Sequence, residues 1–194
     1  MSNPTHTQSA IIWPRDYLPG TTDNFVTNEL ISKDATAAQI WAQLDDITKW
    51  PTYYANCDKI TPPPTGPNLQ QGDTFHFSTF GFPVLECHVH ESIPPSPGQP
   101  GRLAWSAELE GDENTAVRVY HAWLVEDLDG GRVRVLTQES QSGKPAAELG
   151  AKKPNRMLLG HQDWLDGLVV AARGGEVRGE SNLGSVGLDA YGRS

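Results

Sequence analysis

The sequence predicts an α+β domain in which a curved antiparallel sheet wraps around one long C-terminal helix. Three observations carry that reading. A first strand is followed by two short helices, a succession of strand candidates comes next with short connections, and the last periodic segment is an amphipathic helix. An antiparallel sheet must bury one face, and the terminal helix is the element available to cover it.

Residues 1–23 contain Pro4, Pro14, Pro19 and Gly20 without periodicity and read as an irregular arm pinned by Ile11, Ile12 and Trp13. Such arms pack on their own domain or on a partner chain, so a homodimer is one reading. The domain proper spans 24–173. Residues 174–194, GGEVRGESNLGSVGLDAYGRS, are glycine-rich and aperiodic, and a flexible tail is expected.

Within 24–31, NFVTNELI alternates as a strand does. Asp34 is the expected N-cap of a helix carrying Ala37, Ile40, Trp41 and Leu44 at i, i+3, i+4 and i+7. Trp50-Pro51 ends that run, because the residue before proline is driven out of the α region, and Pro51 opens a short second helix. PPPTGP is a loop by composition.

Strands are expected at 73–80, 83–92, 102–109, 116–127 and 131–140, with a weaker one at 57–61. Gly81, PPSPGQPG, GDEN and Asp129-Gly130-Gly131 supply the turns. SGKPAAELGAKKPN reads as a loop or a lid. Asn155 then caps a helix whose Met157, Leu158, Trp164, Leu165, Leu168, Val169 and Ala172 cover one arc. His161 lies near the middle of that arc, beside a small-residue edge of Gly160, Gly167 and Ala171 that lets the helix sit close to a sheet.

Bulk properties exclude several function classes. The net charge of −9, with no basic run longer than Lys152-Lys153, argues against a phosphate-binding surface, so no nucleic-acid partner is expected. No apolar stretch approaches the roughly 18 residues a membrane span needs, and no export signal is visible, so a soluble cytoplasmic protein is expected. Cys57 and Cys87 are too few for a disulfide framework or a thiolate metal site. Phosphate loops, nucleophile elbows and Cys-x-x-Cys motifs are absent from the sequence.

The opening strand followed by DATAAQIWAQLDDITKWPTYY, the hairpin HAWLVEDLDGGRVRVLTQES and the terminal helix NRMLLGHQDWLDGLVVAA together resemble the START-like (SRPBCC) superfamily. Within it, the resemblance is to the polyketide cyclase/dehydrase and lipid transport group, over residues 24–173. It implies the helix-grip, or birch-pollen-allergen-like, fold with a deep apolar cavity between sheet and helix. It does not imply one reaction, since members include ligand carriers, cyclases and chaperone activators.

Candidate chemistry gathers on the hairpin. The face of Val117, Val119, His121, Trp123 and Val125 is more apolar than that of Arg118, Tyr120 and Glu126, which turns His121 inward. On the partner strand Val133, Val135, Thr137 and Glu139 share a face. A turn at Asp129-Gly130 brings His121 across from Gln138 or Glu139, and an imidazole beside a carboxylate is a workable acid and base. Alternatively His121 is simply hydrogen-bonded within the sheet and Glu139 sits at a wet rim. His161 projects from the terminal helix toward the same cavity, in a functional or a structural role.

Phe75, Phe77, Trp105 and Trp123, with Trp164 on the helix, line a cavity or form plain core. Tyr53 and Tyr54 stand where the family's helices help form the entrance, and their hydroxyls hold a polar ligand group or pack at the surface. Glu86, His88 and His90 alternate along one strand, but a third convergent ligand is not evident. An exposed polar face, with Leu85, Cys87 and Val89 inward, explains them equally. No metal and no cofactor is expected.

The leading expectation is binding of a hydrophobic or aromatic small molecule between sheet and helix, oriented by Thr137, Glu139, His121 and His161. One alternative is a cofactor-independent cyclase/dehydrase-like enzyme using His121 and Glu139 as acid and base. Another is a protein-interaction module of the chaperone-activator kind. An enclosed apolar cavity favours the first, a His121–Glu139 contact inside it the second, and a filled core with an exposed apolar patch the third.

Overall fold

The computed structural model describes residues 7–177. Strand β1 (Asn24–Lys33) leads into α1 (Ala37–Leu44) and, past a 3₁₀ turn at Ile47–Lys49, into the single-turn helix α2 (Trp50–Tyr53). A meander follows: β2 (Cys57–Thr61), β3 (Thr74–Thr79), β4 (Leu85–Ile93), β5 (Gly101–Leu109), β6 (Val117–Leu128) and β7 (Arg132–Ser142). Helices α3 (Lys144–Ala151) and α4 (Arg156–Ala172) complete it. The sheet runs β1-β7-β6-β5-β4-β3-β2 with antiparallel neighbours, so the first strand closes against the last. This is the α+β helix-grip architecture expected from the sequence.

Strands β3 to β7 bury the faces their alternation indicated. In β4, Leu85, Cys87 and Val89 are inside while Glu86, His88 and His90 are exposed. His76 and His88 each lie 3.3 Å from Glu86 out on that surface. Strand β6 is buried on both faces over most of its length. Inside, Val117, Val119, Trp123 and Val125 join the core under the helices, and outside, Tyr120, Ala122 and Leu124 are covered by the arm.

That arm lies on its own sheet. Ile11 is buried against the outer cluster, and the rings of Trp13 and Tyr17 sit 5.7 and 5.4 Å from Tyr120. Arg134, held between Glu29 and Glu126, also donates to the Ser9 carbonyl. Residues 178–194, most of the glycine-rich tail, lie outside the described residues, as do residues 1–6.

Three local expectations are corrected. Thr36, not Asp34, caps α1: its hydroxyl accepts from the Gln39 amide while the Gln39 side chain accepts from the Thr36 amide. Both donors are satisfied reciprocally, and Asp34 is instead a turn residue at φ 66°. The segment read as a loop or lid contains α3, opened by Pro145 in its first turn, where a missing N–H costs nothing. Finally, the glycine edge of α4 meets α2 and the β3–β4 turn rather than the sheet. A Cβ on Gly167 would stand 2.0 Å from the Tyr53 carbonyl oxygen, and one on Gly160 2.1 Å from the Phe80 ring.

The grip is partly filled. Trp50 packs its ring 5.0–5.7 Å from those of Trp164, Trp105, Phe75 and Phe77, and Tyr54 stacks on Trp164 at 4.3 Å. Open space remains at the end where β6, β7, α4 and the β3–β4 turn meet. Because α4 can approach α2 only without a side chain at 167, Gly167→Ala should lower the unfolding free energy by about 1–3 kcal/mol, despite alanine's better helix propensity. Leu158→Ala, on the exposed side of the same helix, should change it by less than about 0.5 kcal/mol in the same urea titration.

Candidate functional site

The β6–β7 register sets His121 directly opposite Glu139 on the inner face, and α4 brings His161 over both. All three are buried, at 2, 6 and 1% exposure. One carboxylate oxygen, Glu139 Oε2, lies 3.1 Å from His121 Nδ1 and 3.2 Å from His161 Nε2. The two imidazoles are nearly parallel, with centroids 4.5 Å apart.

The other oxygen, Oε1, accepts from Gln141 Nε2 at 2.5 Å. Gln141 in turn accepts from Asn24 at 2.8 Å, and Asn24 accepts from Asn155 Nδ2 at 3.0 Å. The Asn155 side-chain oxygen caps α4 by accepting from the Met157 and Leu158 amides. A continuous polar chain therefore joins the carboxylate to the end of the helix that carries His161. Such a network restrains its members, since breaking a buried link such as Gln141–Glu139 leaves a polar atom unpaired.

The two histidines differ. His121 Nε2 is 2.7 Å from Thr137 Oγ1, so both of its ring nitrogens are engaged. Burial, and then the neighbouring His161, push its titration well below the ordinary 6.5. His161 Nδ1, by contrast, is buried with no protein partner. Neither cysteine offers a nucleophile: burial pushes the Cys57 thiol up to about 12 and the Cys87 thiol higher still.

Above this cluster opens a cleft with about 550 Å³ of empty space, the open solvent at its mouth included. Phe77, Phe80, Phe82, Trp105 and Trp164 form apolar walls, and His121, Glu139, Gln141 and His161 form the one polar end.

Of the residues expected from the sequence, His121, Glu139, Phe77, Trp105, His161 and Trp164 border the cleft. Thr137 stands behind His121. Phe75 and Trp123 are core residues away from the lining. Tyr53 and Tyr54 are neither at the entrance nor at the surface: α2 is a single turn pressed on Gly167, which drives both rings inward. The Tyr53 hydroxyl donates to the Gln43 carbonyl, and that of Tyr54 pairs with Thr79. Gln141, Asn24, Phe80 and Phe82 were not anticipated at the site, and Asn155 was expected only as the helix cap. Gln141 lies two residues past Glu139, so extending the strand's alternation would have found it.

Among the described residues, His121, Glu139 and His161 are also the set whose donor atoms lie within 4.8 Å of one another as metal ligands would. No helix there is long and apolar enough to cross a membrane.

The sheet and gripping helix define the class. Solved helix-grip structures align with the chain at low identity, among them the di-domain ARO/CYC BexL from the BE-7585A biosynthetic pathway. That match has TM-score 0.53 and 12% identity, over 75% of this chain and 45% of that one. Protein CV1439 from Chromobacterium violaceum aligns with TM-score 0.54 and 13% identity, over 77% and 98%. These are likenesses of fold. A hypothetical protein from Helicobacter pylori, jhp0584, is 44% identical over 87% of this chain and 99% of its own, with TM-score 0.82. The chain belongs to the family of that protein. No family model and no curated protein matches it.

Thr137→Val keeps the shape of the side chain but removes the hydroxyl that engages His121 Nε2. It should cost about 1–3 kcal/mol of unfolding free energy, because the ring nitrogen stays buried without a partner. A chemical-denaturation curve superimposable on wild type would remove that contact from the account.

Proposed function

We propose that the protein binds an aromatic small molecule bearing a hydroxyl group, its ring between the cleft's aromatic walls and its oxygen on the Glu139–His161 cluster. The observation that carries this reading is the pairing of a mostly apolar cleft with one buried polar end, in which His161 Nδ1 has no protein partner. Small-molecule sites combine these features: apolar walls supply the affinity and a few fixed polar groups the orientation. A hydroxyl both donates and accepts, so it satisfies His161 Nδ1 in either ring tautomer.

The aromatic lining argues for a flat ligand. The Trp50–Trp105–Trp164 cluster occupies much of the grip, which leaves a slot beside Phe80 and Phe82 rather than a chamber for a long acyl chain. Ring faces opposed to Trp and Phe side chains gain about 0.5–1.5 kcal/mol beyond their area burial. The fold relation to a cyclase such as BexL is compatible with this reading.

Equilibrium dialysis with 2-naphthol tests it. One saturable site is expected, with naphthalene at least about tenfold weaker because it leaves the buried nitrogen unpaired. Leu109→Trp, which narrows the cleft at its lining, should abolish binding. No saturation below about 1 mM, or equal binding by the narrowed variant, would contradict it.

A further inference from the structure

From the convergence of His121, Glu139 and His161, we infer that this cluster is a binding site for one divalent transition-metal ion, held by two imidazole nitrogens and one carboxylate oxygen and open toward the cleft. The three side chains come from β6, β7 and α4, far apart in sequence, yet their donor atoms lie within 4.8 Å of one another. Ligands about 2.0–2.2 Å from a zinc-like ion stand roughly 2.8–3.6 Å apart at octahedral or tetrahedral angles. The two imidazole–carboxylate separations, 3.1 and 3.2 Å, fall in that interval, and binding an ion would turn the two rings, now nearly parallel, so that both nitrogens point at it.

Charge points the same way. Among the described residues the ion-pair partners of the buried Glu139 are the two histidines, with no Lys or Arg beside it. A buried carboxylate is costly unless a cation or a metal balances it. Two imidazoles and one carboxylate suit zinc, cobalt or iron(II) and disfavour magnesium and calcium, which prefer sets of oxygen ligands.

The set is also supported from behind. Thr137 holds the far nitrogen of His121, and Gln141 holds the far oxygen of Glu139, backed by Asn24 and Asn155. Metal ligands are oriented by outer hydrogen bonds of this kind. The outer surface provides a contrast in the same residue types: His76, Glu86 and His88 come as close, at 3.3 Å, but are 40–57% exposed, where water competes for each of them. Three protein ligands with one side facing a cleft is the arrangement of an ion that exchanges water or substrate, not of a purely structural ion.

This deepens and rests on the reading of the cleft, since an ion held by His161 Nε2 leaves His161 Nδ1 free to meet the ligand's oxygen, but its test is separate. Chelator-stripped full-length protein is titrated with Zn²⁺ against a chromophoric chelator, and with Co²⁺ while the visible ligand-field spectrum is recorded. One equivalent should bind with Kd of about 1 μM or below. Thr137→Val should weaken binding about tenfold or more, and Glu139→Gln and His161→Gln still more, while Glu86→Gln changes nothing. Where a cluster variant fails to fold, the wild-type Co²⁺ spectrum decides alone: bands of a low-symmetry, four- or five-coordinate ion support the site, and a spectrum of free aqueous Co²⁺ overturns it. Zinc binding weaker than about 0.1 mM, or binding lost with Glu86→Gln and kept in Glu139→Gln, overturns it as well. Retained 2-naphthol binding by stripped protein that takes up no metal would sink this inference and leave the proposed function standing.

Discussion

Glu139 is the point on which the arrangement of this molecule turns. A carboxylate on the inner face of β7, 6% exposed at the inner end of the cleft, has most of its lone pairs met by donors from the protein. Those donors come from a neighbouring strand, from its own strand two residues on, and from the C-terminal helix. Because one of them is His161, satisfying the carboxylate also sets how α4 lies across the sheet. The chain through Gln141, Asn24 and Asn155 then returns to the cap of that same helix, so the site and the grip of the fold share one set of hydrogen bonds.

Packing sets where that polar group can face open space. Toward α2 the helix is pressed against backbone at Gly167, and tryptophan and phenylalanine rings fill the concavity. Away from α2 the β3–β4 turn lays Phe80 against Gly160 and stops short of the cluster. The cleft is thus what remains when a seven-stranded sheet is covered by one long helix and only one end of the gap is filled. The outer face takes no part in it: the arm covers Tyr120 and Leu124, which lets β6 be apolar on both sides.

The sequence carried the fold well because periodicity reports burial directly. The stripe Ala37, Ile40, Trp41 and Leu44 and the alternation of β4 through β7 all landed on the predicted faces. The inward turn of His121 and its neighbourhood with Glu139 were also legible, since the hairpin turn counts out the register. What was not legible depends on contacts distant along the chain. Tyr53 and Tyr54 read as surface or entrance residues until α4 is set against α2. Asn24 and Asn155 read as a strand residue and a cap, and only the closure of β1 on β7 joins them to the site. The choice of Thr36 over Asp34 as cap turned on a reciprocal bond with Gln39 that an N-cap rule without its N3 partner passes over.

A double-mutant cycle on Glu139 and His161 in equilibrium unfolding, using Glu139→Ala and His161→Ala singly and together in chelator-treated protein, tests most directly whether this contact joins helix to sheet. The account predicts a coupling of about 1–3 kcal/mol, with the double variant less destabilised than the sum of the singles. Single losses that add to within about 0.5 kcal/mol would mean that the helix is held by apolar packing alone, and that the carboxylate does not organise the grip.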